Sequence, residues 1–82
     1  MAKERPTKTK IKATLEERIA PLMDLDDGSI ETVRYVRKGG RVLVRFRGAY
    51  RGSPCRKTLA EYVVKPVLKE IFSGIGVVEY VD

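Results

Sequence analysis

The sequence predicts an α+β domain in the order α-β-β-α-β, a three-stranded sheet with two helices covering one face. Three observations carry this. Two runs rich in Val, Ile, Tyr and Phe flank Gly39-Gly40 in "IETVRYVRKGGRVLVRFRG", the pattern of a β-hairpin whose turn residues take positive φ. Apolar residues at helical spacing stand on both sides of that hairpin. The segment "VVEYV", close to the end of the chain, reads as a third strand.

The first helix is expected to start at Thr14, which forms a capping box with Glu17 in which each side chain satisfies a backbone donor. Leu15, Ile19 and Leu22 follow at spacings of four and three and give its apolar stripe. Pro21 should bend it, because proline supplies no N–H and crowds the preceding turn. "DLDDGS" then stops it. With so many cations and so little apolar content, "MAKERPTKTKIK" reads as a flexible basic arm, giving a boundary of 1–13 for the arm and 14–82 for the domain.

With Gly39 and Gly40 as a two-residue turn, Lys38 faces Arg41, Tyr35 faces Val44, Arg34 faces Arg45 and Val33 faces Phe46. That register puts Val33, Tyr35, Val42, Val44 and Phe46 on the core side. Thr32, Arg34, Arg41, Arg45 and Arg47 fall on the other face, with Val36 and Leu43. A second helix is expected to begin with Ser53 as N-cap and Pro54 at its first position. Leu59, Val63 and Val67, with Tyr62 and Ile71, supply its buried stripe. Pro66 within that pattern predicts a kink, and "SGIG" ends the helix.

Eighty-two residues make one small domain, with too thin a core for a deep enclosed active site. No run approaches the roughly 18 apolar residues of a membrane span, and the charged start lacks the apolar stretch of a signal peptide. A single cysteine excludes an intrachain disulfide, so a cytoplasmic protein is expected. With no histidine and no nucleophile–base pair in the pattern, it is not expected to be an enzyme. The "DLDD" carboxylates read as a helix-ending acidic turn, not as a metal cage.

The net charge of +6 is uneven. From Thr32 to Ala60 there is no acid, while Arg34, Arg37, Lys38, Arg41, Arg45, Arg47, Arg51, Arg56 and Lys57 supply nine cations. A basic face of Arg34, Arg41, Arg45, Arg47 and Arg51 therefore implies an anionic partner, either an acidic protein surface or nucleic acid phosphate. Tyr50 is the best candidate aromatic for base stacking, and few others are exposed. Nucleic acid binding would thus lean on phosphate contacts.

From Ile19 to Val81 the chain resembles the C-terminal domain of NifU, an iron–sulfur assembly module. The matching pieces are "IAPLM" (I-R-P-x-L in the family), "DDGSIE" (D-G-G-D-[IV]-E), "VLVRFRGA" (V-x-V-x-L-x-G-A), "GSP" (G-C-P) and the ending "GVVEYV". The resemblance implies the α-β-β-α-β fold reached above. It also implies a labile iron–sulfur cluster held by the two cysteines of G-A-C-x-G-C-P, usually shared between two chains of a dimer. Here that stretch is "GAYRGSP", and Tyr50 and Ser53 stand where the cysteines belong. Phenol and hydroxyl are poor substitutes for thiolate on cluster iron. No cofactor is expected, and only a weakly held cluster is conceivable. Cys55, just beyond, reads as a lone ligand paired across a dimer, a redox-sensitive thiol, or a small residue under the end of the sheet. Two functions stand at this stage. One is a NifU-like accessory of iron–sulfur cluster assembly that holds no stable cluster; the other is a basic binding module reusing the scaffold.

Overall fold

A computed structural model of the chain describes residues 3–25 and 27–81. The first two residues of the expected arm, Asp26 of the acidic turn, and Asp82 lie outside them. The elements are α1 (Lys8–Arg18), α2 (Ala20–Asp24), β1 (Gly28–Val36), β2 (Arg41–Gly48), α3 (Arg56–Leu59), α4 (Lys65–Ile71) and β3 (Val77–Val81). A wide helical turn, Ala60–Val64, joins α3 to α4. The sheet order is β1-β2-β3. β1 and β2 are antiparallel and β3 runs parallel to β2, a pairing that requires the long helical crossover between them. The expected α+β class is observed.

The N-terminal boundary is corrected. α1 begins at Lys8, with Thr7 as N-cap accepting a hydrogen bond from the Lys10 N–H at 3.2 Å. Thr14 lies inside the helix, and its hydroxyl donates to the Lys10 carbonyl at 2.9 Å. Ile11 is fully buried and extends the stripe to Ile11, Leu15, Ile19 and Met23, whereas Leu22 is exposed. Further upstream, Glu4 pairs with the segment after α4: its N–H donates to the Ile71 carbonyl at 3.0 Å and its carbonyl accepts from Ser73 at 2.9 Å. Residues 4–13 are thus folded onto the domain and are not the flexible arm expected over 1–13. The break at Pro21 is as expected: α1 stops at Arg18 and α2 restarts with the proline in its first turn.

The hairpin register is also corrected. The loop spans Arg37 to Gly40, closed by the Gly40 N–H on the Arg37 carbonyl at 3.1 Å. Both glycines have positive φ, 79° and 61°, as the sequence predicts. Tyr35 pairs with Val42 and Arg34 with Leu43; beyond them a bulge at Val33 shifts the pairing, so Thr32 faces Val44, Glu31 faces Arg45 and Ile30 faces Phe46. An extra residue in one strand exchanges the faces on its far side. Thr32, expected outside, is buried, and its hydroxyl has no partner among the described residues. Glu31 turns outward and is exposed.

The second helical run departs in phase from its expected stripe. Ala60, Val64 and Leu68 are the buried row; Leu59, Val63, Val67 and Ile71 pack beside them, and Tyr62 is 74% exposed. The Lys65 N–H reaches the Ala60 carbonyl, five residues back. Such a widened turn accommodates Pro66, which has no N–H to give. The helical rows meet Val42, Val44 and Phe46 of β2, with Phe72, Ile75 and Val78 completing the core.

Where β1 enters the sheet, Asp27 has φ 57°, the left-handed region. The family pattern places glycine there. A non-glycine residue in this conformation costs about 1–2 kcal/mol, less for Asp, and glycine returns part of the gain through its freer unfolded chain. Asp27→Gly should therefore stabilise the domain by about 0.5 kcal/mol in urea unfolding; a destabilised variant would mean that the carboxylate holds the turn.

Candidate functional site

The loop after β2 is built from successive turns. Gly48 and Gly52 have φ of 65° and 76°. The Arg51 N–H donates to the Gly48 carbonyl at 3.0 Å, Ser53 to Tyr50 at 3.1 Å, and Arg56 to Ser53 at 3.3 Å. A Cβ on Gly48 would strike the Asp27 carbonyl oxygen, whose other neighbour is the Ala49 N–H at 3.1 Å. Strand β2 can therefore leave the sheet here only through glycine.

Tyr50 is half-buried and packs against the core. Its ring covers Gly28 so closely that any Cβ at that position would overlap it. It is consequently not the exposed stacking aromatic that the sequence suggests. The Ser53 hydroxyl accepts from the Cys55 N–H at 3.1 Å. The first helical residue is Arg56, with Cys55 as the cap position; the expected start, with Ser53 as cap and Pro54 inside the helix, is corrected by this local turn. Cys55 is exposed, which removes its reading as a small residue under the sheet.

The arginines of the expected basic face divide into separate groups. Arg41 pairs with Glu79 at 2.9 Å. Arg34 is exposed opposite Leu43, not opposite Arg45. Glu31 stands between Arg45 and Arg47, at 3.6 and 3.0 Å. Arg34 and Arg45, set opposite each other by the expected register, are therefore apart, and Arg41, Arg45 and Arg47 form ion pairs with glutamates. At exposures of 36–57% these pairs contribute at most about 1 kcal/mol each. Arg45, Arg47 and Arg51 do come together: with Phe46, Gly48, Gly52 and Arg56 they line a groove of about 560 Å³. The sequence reading did not single out Arg56. Its guanidinium lies 4.7 Å from the centroid of the Tyr80 ring and its Nε donates to the Ser53 carbonyl at 3.0 Å. Tyr80 in turn meets Phe46 at 6.4 Å between centroids. The position of Arg56, in the first helical turn after a glycine loop, was the available signal.

The family model of the NifU-like domain matches residues 11–79. The chain belongs to the NifU-like domain family. That family is linked in general to iron–sulfur cluster assembly. No curated protein matches the chain.

A cluster as cargo of this NifU-like domain requires thiolate donors at the loop. Tyr50 is held over Gly28, the Ser53 hydroxyl is held by the Cys55 N–H, and Cys55 is the chain's one thiol. This donor set does not fit an iron–sulfur cluster. Among the described residues, no group of three or more His, Cys, Asp or Glu is placed to hold a metal ion, and no helix is long and apolar enough to cross a membrane.

Proposed function

We propose that this NifU-like domain is a non-catalytic accessory of iron–sulfur cluster assembly, working in the cytoplasm through partner proteins and holding no stable cluster itself. The observation behind this reading is Tyr50, which stands where the resemblance puts the first cluster cysteine and packs its ring on Gly28. A loop can lose a ligand and stay open; this one has put the replacement to structural use. The other reading, a module that binds nucleic acid, draws support from the arginine groove. Against it stand Glu31 and Glu79, which interrupt the cations of the open sheet face.

The test is anaerobic purification and reconstitution, with iron and acid-labile sulfide measured per chain. The wild type should hold far less than one cluster per two chains and stay nearly colourless. A stoichiometric, visibly absorbing cluster that is lost in Cys55→Ser would overturn the proposal. The double variant Tyr50→Cys, Ser53→Cys should gain iron and sulfide, since the glycine turns that shape the loop are in place.

A further inference from the structure

The arginine groove carries more than a general basic character. Arg45 and Arg47 stand two residues apart on β2, Arg51 comes from the loop, and Arg56 from the start of α3. Three separate segments thus deliver guanidinium groups to one groove. Arg56 is fixed from below by the Ser53 carbonyl and the Tyr80 ring. Arg51 is exposed, and its guanidinium has no partner among the described residues. The floor is the end of β2 itself. Among the described residues, pairing of β2 with β3 ends at Arg45 and Val81, while β2 continues to Gly48.

We propose that this groove docks an extended acidic segment of a partner protein, with side-chain carboxylates on Arg47 and Arg51. The planar fork of arginine matches a carboxylate through two parallel hydrogen bonds. Charge on either side of the groove selects the peptide over a nucleic acid strand. A polyanion leaving the groove along the outer sheet face would pass the exposed carboxylates of Glu31 and Glu79, and its evenly spaced phosphates could not avoid them. A short acidic segment meets only Glu31, which engages Arg47 through Nε and whose charge Arg45 and Arg47 offset, and it ends before Glu79. The inference rests on the accessory reading for its partner class, but not on the state of the cluster. Iron and sulfide analysis tests that reading and peptide binding tests this one, so either fails alone.

The experiment is fluorescence anisotropy of a labelled short peptide alternating Glu and Ser, at low and physiological salt. A Gln-for-Glu peptide and a single-stranded oligonucleotide of equal charge serve as comparisons. The acidic peptide should bind, the Gln peptide should not, and affinity should fall with added salt. Arg47→Gln combined with Arg51→Gln should weaken binding by about tenfold or more, with an unchanged circular dichroism spectrum. Arg34→Gln, outside the groove, should bind as the wild type does. Three results would each overturn the proposal: no peptide binding at low salt, equal loss in Arg34→Gln, or oligonucleotide binding as tight as the peptide's with the same dependence on Arg47 and Arg51.

Discussion

A chain beginning at Thr14 should fail to fold. Removing residues 1–13 takes away the Thr7 cap, the first part of α1 and the fully buried Ile11. It also removes the Glu4 hydrogen bonds to Ile71 and Ser73. What remains of α1 is Thr14–Arg18, far below the about 12 residues at which an isolated helix becomes even marginal. Leu15 and Ile19 would then have to be held by tertiary contacts alone. Ile11→Ala isolates the core part of the effect: deleting a buried aliphatic side chain of this size costs about 2–4 kcal/mol, a large share of what a small domain has. The measurement is urea unfolding followed by circular dichroism. A truncated chain that unfolds cooperatively within about 1 kcal/mol of the full one would show that α1 is dispensable.

The error over α1 has a physical source. Threonines stand at positions 7, 9 and 14, and only Thr14 has Glu three residues later. The capping-box pattern therefore pointed to the wrong one. In the structure the Thr14 hydroxyl turns back to the Lys10 carbonyl, an alternative open to any threonine within a helix. The spacing of four that links Ile11, Leu15, Ile19 and Met23 was present throughout. The dense lysines around Ile11 obscured it, because they mark the solvent side of a helix as readily as they mark a disordered arm. Features fixed by a single residue's chemistry were legible, namely the break at Pro21 and the positive φ of Gly39 and Gly40, and so was the short β-rich run of β3.

Long-range pairing was less legible. A bulge at Val33 has no composition signal, yet it reverses which residues of β1 face the core. The basic face was misjudged as a result. Glu31, one position outside the acid-free stretch, becomes the partner of both Arg45 and Arg47, and Glu79 arrives from β3 to pair Arg41. That Tyr50 and Ser53 stand where the resemblance puts two cysteines was plain from the residues themselves. That Tyr50 has been built into the packing around Gly28 depends on how the ends of β1 and β2 cross, which no local pattern encodes.

That dependence on backbone crossing is sharpest at the hairpin tip. Gly40→Ala should cost about 3–5 kcal/mol or prevent folding, among the largest effects expected of a single methyl group. Gly40 is buried at φ 61°, and an added Cβ would sit on the Gly74 carbonyl oxygen and against the Gly76 N–H group. Both obstacles are backbone, so neither can rotate aside. Relief requires the tip to separate from the turn before β3, breaking the hydrogen bond from the Gly76 N–H to the Gly40 carbonyl at 2.9 Å. The pairing of Arg41 with Val77, one residue further on, would be strained with it. Gly39 is the internal control. Its φ is 79°, but nothing lies within 4 Å of the Cβ it would carry, so Gly39→Ala should cost only the left-handed backbone term, about 1 kcal/mol. Comparing the two variants in urea separates conformational strain from collision. If Gly40→Ala and Gly39→Ala differ by less than about 1 kcal/mol, the tip does not depend on its contact with the Gly74–Gly76 turn, and β3 is held by its pairing with β2 alone.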